Sequence, residues 1–376
     1  MRARHGDHGW QHRHVSGSTV AAWIATPATT TLILGLNNQV NLTFLQNNTV
    51  GVNANFLATP VELSLGTSSS RVRLSDNTVR EWGISIAGAL ENPPGQALGV
   101  TDAVQIASGG PGVACERTTA GGVACAGGGA LLGAPPGNFT FSPVLLTFPI
   151  PSSSAPVGQV ALGSLHGCAL QRLTVSCWGN NSQGQYGNGT TTSSGAPVLA
   201  AVQAAKIFPG DVNTCYLQGD GSLTCTGANA NGQLGNNTTT PSLVPVTVSG
   251  LTDTVDAAVG GTHACALRAD GTVRCWGGNN FGQLGDGTTT QRLVPVQALG
   301  IADAVHVVSG QNHTCVLRQT GTVSCWGKGS TLGDGIGANR STPADVPGLS
   351  GVVTLDSHLG SHSCAILTDR SVKWHF

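Results

Sequence analysis

Ten of the eleven cysteines in this chain fall in pairs: Cys115 and Cys125, Cys168 and Cys177, Cys215 and Cys225, Cys265 and Cys275, Cys315 and Cys325. The offset is ten residues in four pairs and nine in one. Thiols at such spacing either bind a metal or oxidise to a disulfide. Zinc favours knuckles with only two to four residues between its cysteines, so the longer offset argues against a metal. Across a tight β-hairpin, by contrast, an offset of ten places two residues face to face, close enough for a disulfide. The eleventh cysteine, Cys364, has Trp374 at its partner position and is left as a free thiol or a link to another chain.

Other residues recur at fixed places. His166, His263, His313 and His362 each stand two residues before the first cysteine of a unit, with Asn213 replacing the histidine in one unit. A ring of such side chains invites a metal or proton-relay reading. A structural hydrogen bond to the neighbouring strand is the better one, because the residue follows the repeat and tolerates Asn. His5, His8, His12 and His14 crowd the start of the chain, where adventitious metal binding by a tail is the simplest reading. Trp178, Trp276 and Trp326 could stack on sugars, but a tryptophan recurring with the fold period reads as packing between units. Asp286-Gly287 and Asp334-Gly335 lack the alternating acidic spacing of a calcium loop and read as turn formers. No Ser/His/Asp arrangement, phosphate loop or paired carboxylate site stands in recognisable context, so no enzyme and no cofactor are expected. Asn138, Asn180, Asn188, Asn236, Asn237 and Asn339 begin Asn-x-Ser/Thr sequons in expected loops and are candidate glycosylation sites.

Repeated strands must position these residues. Charged side chains make up 9% of the 376 residues and Gly reaches 54, which leaves little material for the wet face of long helices. The expectation is an all-β chain. Units start 44, 53, 47, 50, 50 and 49 residues apart, counting from Arg71 through the first cysteines, which is the period of propellers. Alternation in CALR and TVRCW gives two strands, with Ala269-Asp270-Gly271 as the hairpin loop between them. A strand such as VHVVSG (305–310) precedes each hairpin and a Pro-Val segment such as Pro295-Val296 follows, so each unit has four strands.

Covariation supports the pairing. Where cysteines are missing both positions change together, to Arg71 and Glu81 in one unit and to Leu32 and Leu42 in an earlier, degenerate one, as expected of opposed residues in contact. Seven hairpins but only six following connections predict a ring in which residues around 42–61 supply the missing strand. Residues 18–42 could add an eighth blade or an appendage. The first seventeen residues read as disordered, and 18–376 as the propeller.

Net charge is −1 and no basic cluster exists, which argues against nucleic acid as a partner. No apolar run is long enough to span a membrane, and the N-terminal stretch lacks a signal-peptide core. Paired cysteines then carry the localisation: an oxidising, extracellular compartment.

The text GTHACALRADGTVRCWGGNNFGQLGDGTTT (261–290) resembles the repeat of the regulator of chromosome condensation family. The resemblance implies a seven-bladed propeller. The paired cysteines of this chain and its lack of a basic tail resemble the secreted group of that family. Guanine-nucleotide exchange is not carried over, since no matching contact surface can be named residue by residue. Fold alone leaves function open, and the expectation is a non-enzymatic scaffold or adhesion subunit that binds protein or carbohydrate, or assembles with itself, through blade-rim loops. The alternative is an inhibitor or regulator that uses one propeller face.

Overall fold

The computed structural model describes residues 40–45, 49–54, 58–84, 90–97, 100–110, 112–128, 139–149 and 156–375. They form seven antiparallel sheets, six of four strands and one of five. The sheets are the blades of a seven-bladed propeller. Blades 1 to 6 cover residues 60–96, 103–145, 159–203, 206–247, 254–297 and 304–345, each running in chain order from an inner strand to an outer one.

Blade 7 is assembled from both sides of the sequence. Val352–Asp356, Ser363–Leu367 and Val372–His375 are its first three strands, and Thr49–Ala54 pairs with the third as its outer strand. Val40–Leu45 then adds a fifth strand outside it. The segment expected to close the ring does so, and no eighth sheet occurs among the described residues. Leu42 pairs with Val52. Leu32, the first seventeen residues and the N-terminal histidines lie outside the described residues.

Each hairpin has the expected register. Cys265 faces Cys275, and the turn between them places Gly271 at φ 78°, with the Asp270 carboxylate accepting the Thr272 N–H at 3.0 Å. A left-handed residue costs glycine nothing, so Asp-Gly fits this turn. All five cysteine pairs are bonded, with Cα atoms 4.0–4.2 Å apart. In the blade without cysteines Arg71 faces Glu81, and the buried guanidinium donates to the carboxylate at 2.8 and 3.1 Å. Cys364 faces Trp374 in the strand register and its thiol is buried and free.

The core lies between blades. One cluster joins Cys215, Leu217, Leu223 and Cys225 of blade 4 to Val259, Ala264, Ala266 and Trp276 of blade 5, and others repeat this union around the ring. Apolar faces of flat sheets are thus buried against the next sheet, which is why a single unit cannot fold stably alone.

Candidate functional site: seams, rim and central channel

The repeated histidines act at the seams. His166 Nε2 lies 2.8 Å from Thr214 Oγ1, His263 Nε2 2.8 Å from Thr314 Oγ1, and His313 Nε2 2.9 Å from Ser363 Oγ. His362 Nε2, 3.0 Å from Ser70 Oγ, makes the same link from blade 7 to blade 1. Every partner stands immediately before the first paired position of the next blade. Where the histidine is replaced, by Ser69, Val113 or Asn213, the next blade has Ala114, Gly167 or Ala264 there and offers no hydroxyl. Burial lowers the pKa of His166 and His313 to about 3 and that of His263 and His362 to about 4, so these rings are neutral. They are spent on structure, and no group of His, Cys, Asp or Glu that could hold a metal occurs among the described residues.

The tryptophans are spent likewise. Trp178, Trp276 and Trp326 are fully buried, and the last two donate their indole N–H to the carbonyls of Gln233 and Gln283 in the preceding blade, both at 2.9 Å. This geometry excludes them as exposed sugar platforms.

At the rim, a buried asparagine shapes the loop after the hairpin in blades 3, 4 and 5. Asn229 Oδ1 accepts the Leu234 N–H at 2.9 Å, and its Nδ2 donates to the carbonyls of Thr238 and Thr240, both at 3.0 Å. Asn279 does the same for Thr288 and Thr290, and Asn181 for Thr190 and Thr192. Three adjacent blades therefore display the same threonine triplet, with Thr191, Thr239 and Thr289 exposed.

Asp286 and Asp334 hold turns at these loops: Thr288 and Ile336 donate backbone N–H groups to them at 3.0 and 2.8 Å. Each also pairs with an arginine six residues on, Arg292 or Arg340. Asn188 and Asn236 occupy the same place in blades 3 and 4, where the later position is Ser194 or Ser242, so the acid and its arginine change together. Two sequon asparagines thus serve as turn acceptors, Asn188 for the Thr190 N–H at 3.1 Å and Asn236 for the Thr238 hydroxyl at 2.8 Å. Asn180 similarly accepts the Ser182 N–H at 3.0 Å. Asn237 and Asn339 are exposed, and Asn138 lies outside the described residues.

A central channel of about 770 Å³ runs between the inner strands. Its wall has two levels. Glu62, Gln105, Gln159, Lys206, Asp256, His306 and Thr354 occupy equivalent register positions at the outer level, and Ser64, Ala107, Ala161, Phe208, Ala258, Val308 and Asp356 at the inner one. Inner strands carry unpaired backbone groups on their axial edge, and such groups need partners. The outer level supplies some. Gln105 accepts the Val160 N–H at 3.0 Å while donating to the Val160 carbonyl at 3.1 Å, and Gln159 clasps Ile207 the same way at 3.0 and 2.9 Å. Glu62 accepts the Ile106 N–H at 3.3 Å and pairs with Arg73.

Blades 4 to 6 differ. Asp256 sits between Lys206 and His306, 3.9 Å from the ammonium and 2.6 Å from the imidazole Nδ1, and Lys206 also donates to the Val255 carbonyl at 2.9 Å. Beside them Val255, Val305 and Val353 are left unpaired at bulges and are 43–53% exposed. This mouth was not read from the sequence, because the bulges at Val255, Val305 and Val353 interrupt the alternation of polar and apolar residues along these inner strands. At the opposite end glycines draw the blades together: a Cβ on Gly66 would stand 2.6 Å from the Gly109 carbonyl, and one on Gly109 2.7 Å from that of Gly163. His358 of blade 7 spans this end by donating to the Leu162 carbonyl of blade 3.

These features define a seven-bladed propeller with disulfide-stapled hairpins and side-chain bonds across its seams. Part of this ring matches the regulator of chromosome condensation repeat: the family model of that description matches residues 220–267 and 270–317, and a second model of the same description matches 255–283 and 304–331. No curated protein sequence matches the chain. Among solved structures, human WBSCR16 aligns at 20% identity over 86% of this chain and 88% of its own, with a TM-score of 0.73. Prp20p from Saccharomyces cerevisiae aligns at 17% identity over 84% of this chain and 82% of its own, at 0.70. The ectodomain of the Arabidopsis thaliana receptor kinase ACR4 aligns at 20% identity over 85% and 96%, at 0.52. At these identities the likeness concerns the fold.

Proposed function

We propose that the chain is a non-enzymatic binding propeller of an oxidising, extracellular compartment, in which blade-rim loops engage protein or carbohydrate partners as a scaffold or adhesion subunit. The observation that carries this reading is the threonine triplet that Asn181, Asn229 and Asn279 hold in one shape on three adjacent blades. Repetition of one polar surface suits a repetitive partner, including further copies of the chain. Five hairpin disulfides suit the compartment. The repeated histidines and tryptophans, which could have served chemistry, are engaged in holding blades together. Propellers of this fold present surfaces to proteins elsewhere: Prp20p is described with its binding to Gsp1p and histones, and in complex with Kap60. Glycans, if attached, belong on the exposed Asn237 and Asn339, which intact mass before and after glycosidase treatment would register.

The channel mouth favours a second reading, a regulator or inhibitor that caps a partner with one face. Its basis is the exposed Val255, Val305 and Val353 beside Lys206, Asp256 and His306. Capture from native extracellular material by the disulfide-intact chain, with cross-linking, separates the two. Loss of capture with Thr191→Glu, Thr239→Glu and Thr289→Glu combined supports the rim. Loss with Val305→Asp alone supports the face, and capture unaffected by either set rejects both.

A further inference from the structure

The outer strands of blades 1 to 6 share a proline: Pro94, Pro143, Pro197, Pro245, Pro295 and Pro343. Each directly precedes the residue that faces the second paired position of its hairpin, as Pro295 precedes Val296, which faces Cys275. The direction of its nitrogen follows from the disulfide. Cys265 and Cys275, with Cα atoms 4.0 Å apart, form a non-hydrogen-bonded pair, so the backbone groups of Cys275 turn to the outer strand and those of Val296 turn back to them. The nitrogen of Pro295 then faces the open edge of the blade. A missing N–H at that place removes a donor that a foreign strand would need, which is how edges are kept from pairing.

Blade 7 lacks this guard. Its outer strand has Val50 facing Trp374, and the preceding residue is Thr49. There a further strand has added: Thr49 faces Leu45, and Val40–Leu45 lies along the edge as the fifth strand. The added strand, VNLTFL, again has neither proline nor charge, and among the described residues nothing pairs with its outer side. Its residues alternate, with Val40, Leu42 and Phe44 on one face and Asn41 and Thr43 on the other. That pattern of apolar and polar positions reads the same in both directions from Leu42.

We propose that Val40–Leu45 is a self-association edge, at which two copies of the chain pair antiparallel about a two-fold axis at Leu42 and join their seventh blades into one continuous sheet. Val40 then faces the partner's Phe44, and Asn41 the partner's Thr43, so apolar meets apolar and polar meets polar. A second copy suits this edge better than a charged segment, because the strand offers no ion-pair partner. A net charge of −1 leaves little repulsion between copies. One strand edge is a small interface, so association belongs at micromolar concentration. The surface is the sheet edge of blade 7 and not the threonine loops, and the proposal stands independently of the rim reading.

The test is sedimentation velocity of the full, disulfide-intact chain across a micromolar concentration series, with amide hydrogen exchange at its low and high ends. A reversible dimer should form, and the amides of residues 40–45 should gain protection with it. Asn41→Lys combined with Thr43→Lys sets like charges opposite one another across the two-fold axis. That pair should weaken the dimer at least ~10-fold, a loss of about 1.4 kcal/mol or more, with circular dichroism unchanged. Should the double variant fail to fold, Thr49→Pro, which restores the residue of the other blades, should release the added strand and give a monomer. Thr191→Glu, Thr239→Glu and Thr289→Glu combined should leave the dimer intact. A chain that stays monomeric throughout the series, a dimer unaffected by both edge variants, or a dimer lost with the threonine set overturns the assignment.

Discussion

His362 in the last blade and Ser70 in the first are joined by a 3.0 Å hydrogen bond that repeats, at the ring closure, the link His263 makes to Thr314 inside the chain. The closure is therefore chemically equivalent to an ordinary seam. His362→Ala and Ser70→Ala should each destabilise the protein, and the double variant should cost less than their sum. A coupling of about 1 kcal/mol in urea unfolding is expected, and strict additivity would show that the bond contributes nothing.

The same histidines set an acid limit. Each has a folded pKa of about 3 or 4, below the ordinary value of 6.5, so the unfolded chain binds more protons once pH drops beneath 6.5. Their contribution is complete above that value and is lost progressively as pH falls toward 4 and 3. The urea midpoint should decline between pH 7 and pH 4, and replacing His166 and His313 by Gln should flatten that decline.

Glu116 has the opposite sign. It lies 3.5 Å from Arg71, which is also bonded to Glu81, and burial raises its pKa from 4.5 to about 7. A carboxyl raised in this way favours the folded state at low pH, and that contribution disappears as pH rises through 7. Glu116→Gln should change stability little at pH 5 and increase it at pH 8.5, by roughly 1–3 kcal/mol. Melting curves at the two pH values check this.

Arg71 and Glu81 face one another as the cysteines do elsewhere. The double replacement Arg71→Cys with Glu81→Cys should form a sixth disulfide, seen as a further loss of two hydrogens in the intact mass. Reduction of any one native hairpin bridge should cost at most about 2.7 kcal/mol, because the closed loop is short. Peptide mapping that found the native thiols free would contradict the pairing.

Gly66 has no room for a methyl group, since its Cβ would stand 2.6 Å from the Gly109 carbonyl, whereas Gly219 has nothing within 4 Å. Gly66→Ala should destabilise by about 1–3 kcal/mol while Gly219→Ala stays near wild type. Thermal unfolding of the two variants side by side gives the comparison.

The parts of this architecture that depend on one hairpin were legible in the sequence. Cys265 and Cys275 lie ten residues apart across an Asp-Gly turn, and Arg71 with Glu81 changed together at the same places, so opposition could be inferred without coordinates. The seams were not. Thr214, Thr314, Ser363 and Ser70 appear exactly where the preceding blade has a histidine, but that rule concerns residues about fifty apart and emerges only when neighbouring blades are known. The channel mouth was hidden for another reason. Bulges at Val255, Val305 and Val353 shift the register of the inner strands, so plain alternation misassigns the faces of Asp256, His306 and Thr354.

Blade 7 takes its outer strand from Thr49–Ala54 and its other three from 352–375. During synthesis the early strand emerges with its eventual neighbour still some three hundred residues from being made, while blades 1 to 6 each become complete from contiguous chain. The newborn protein therefore passes through a stage of six finished sheets and one unattached ribbon, whose open edge can pair with another polypeptide until translation delivers Val372–His375.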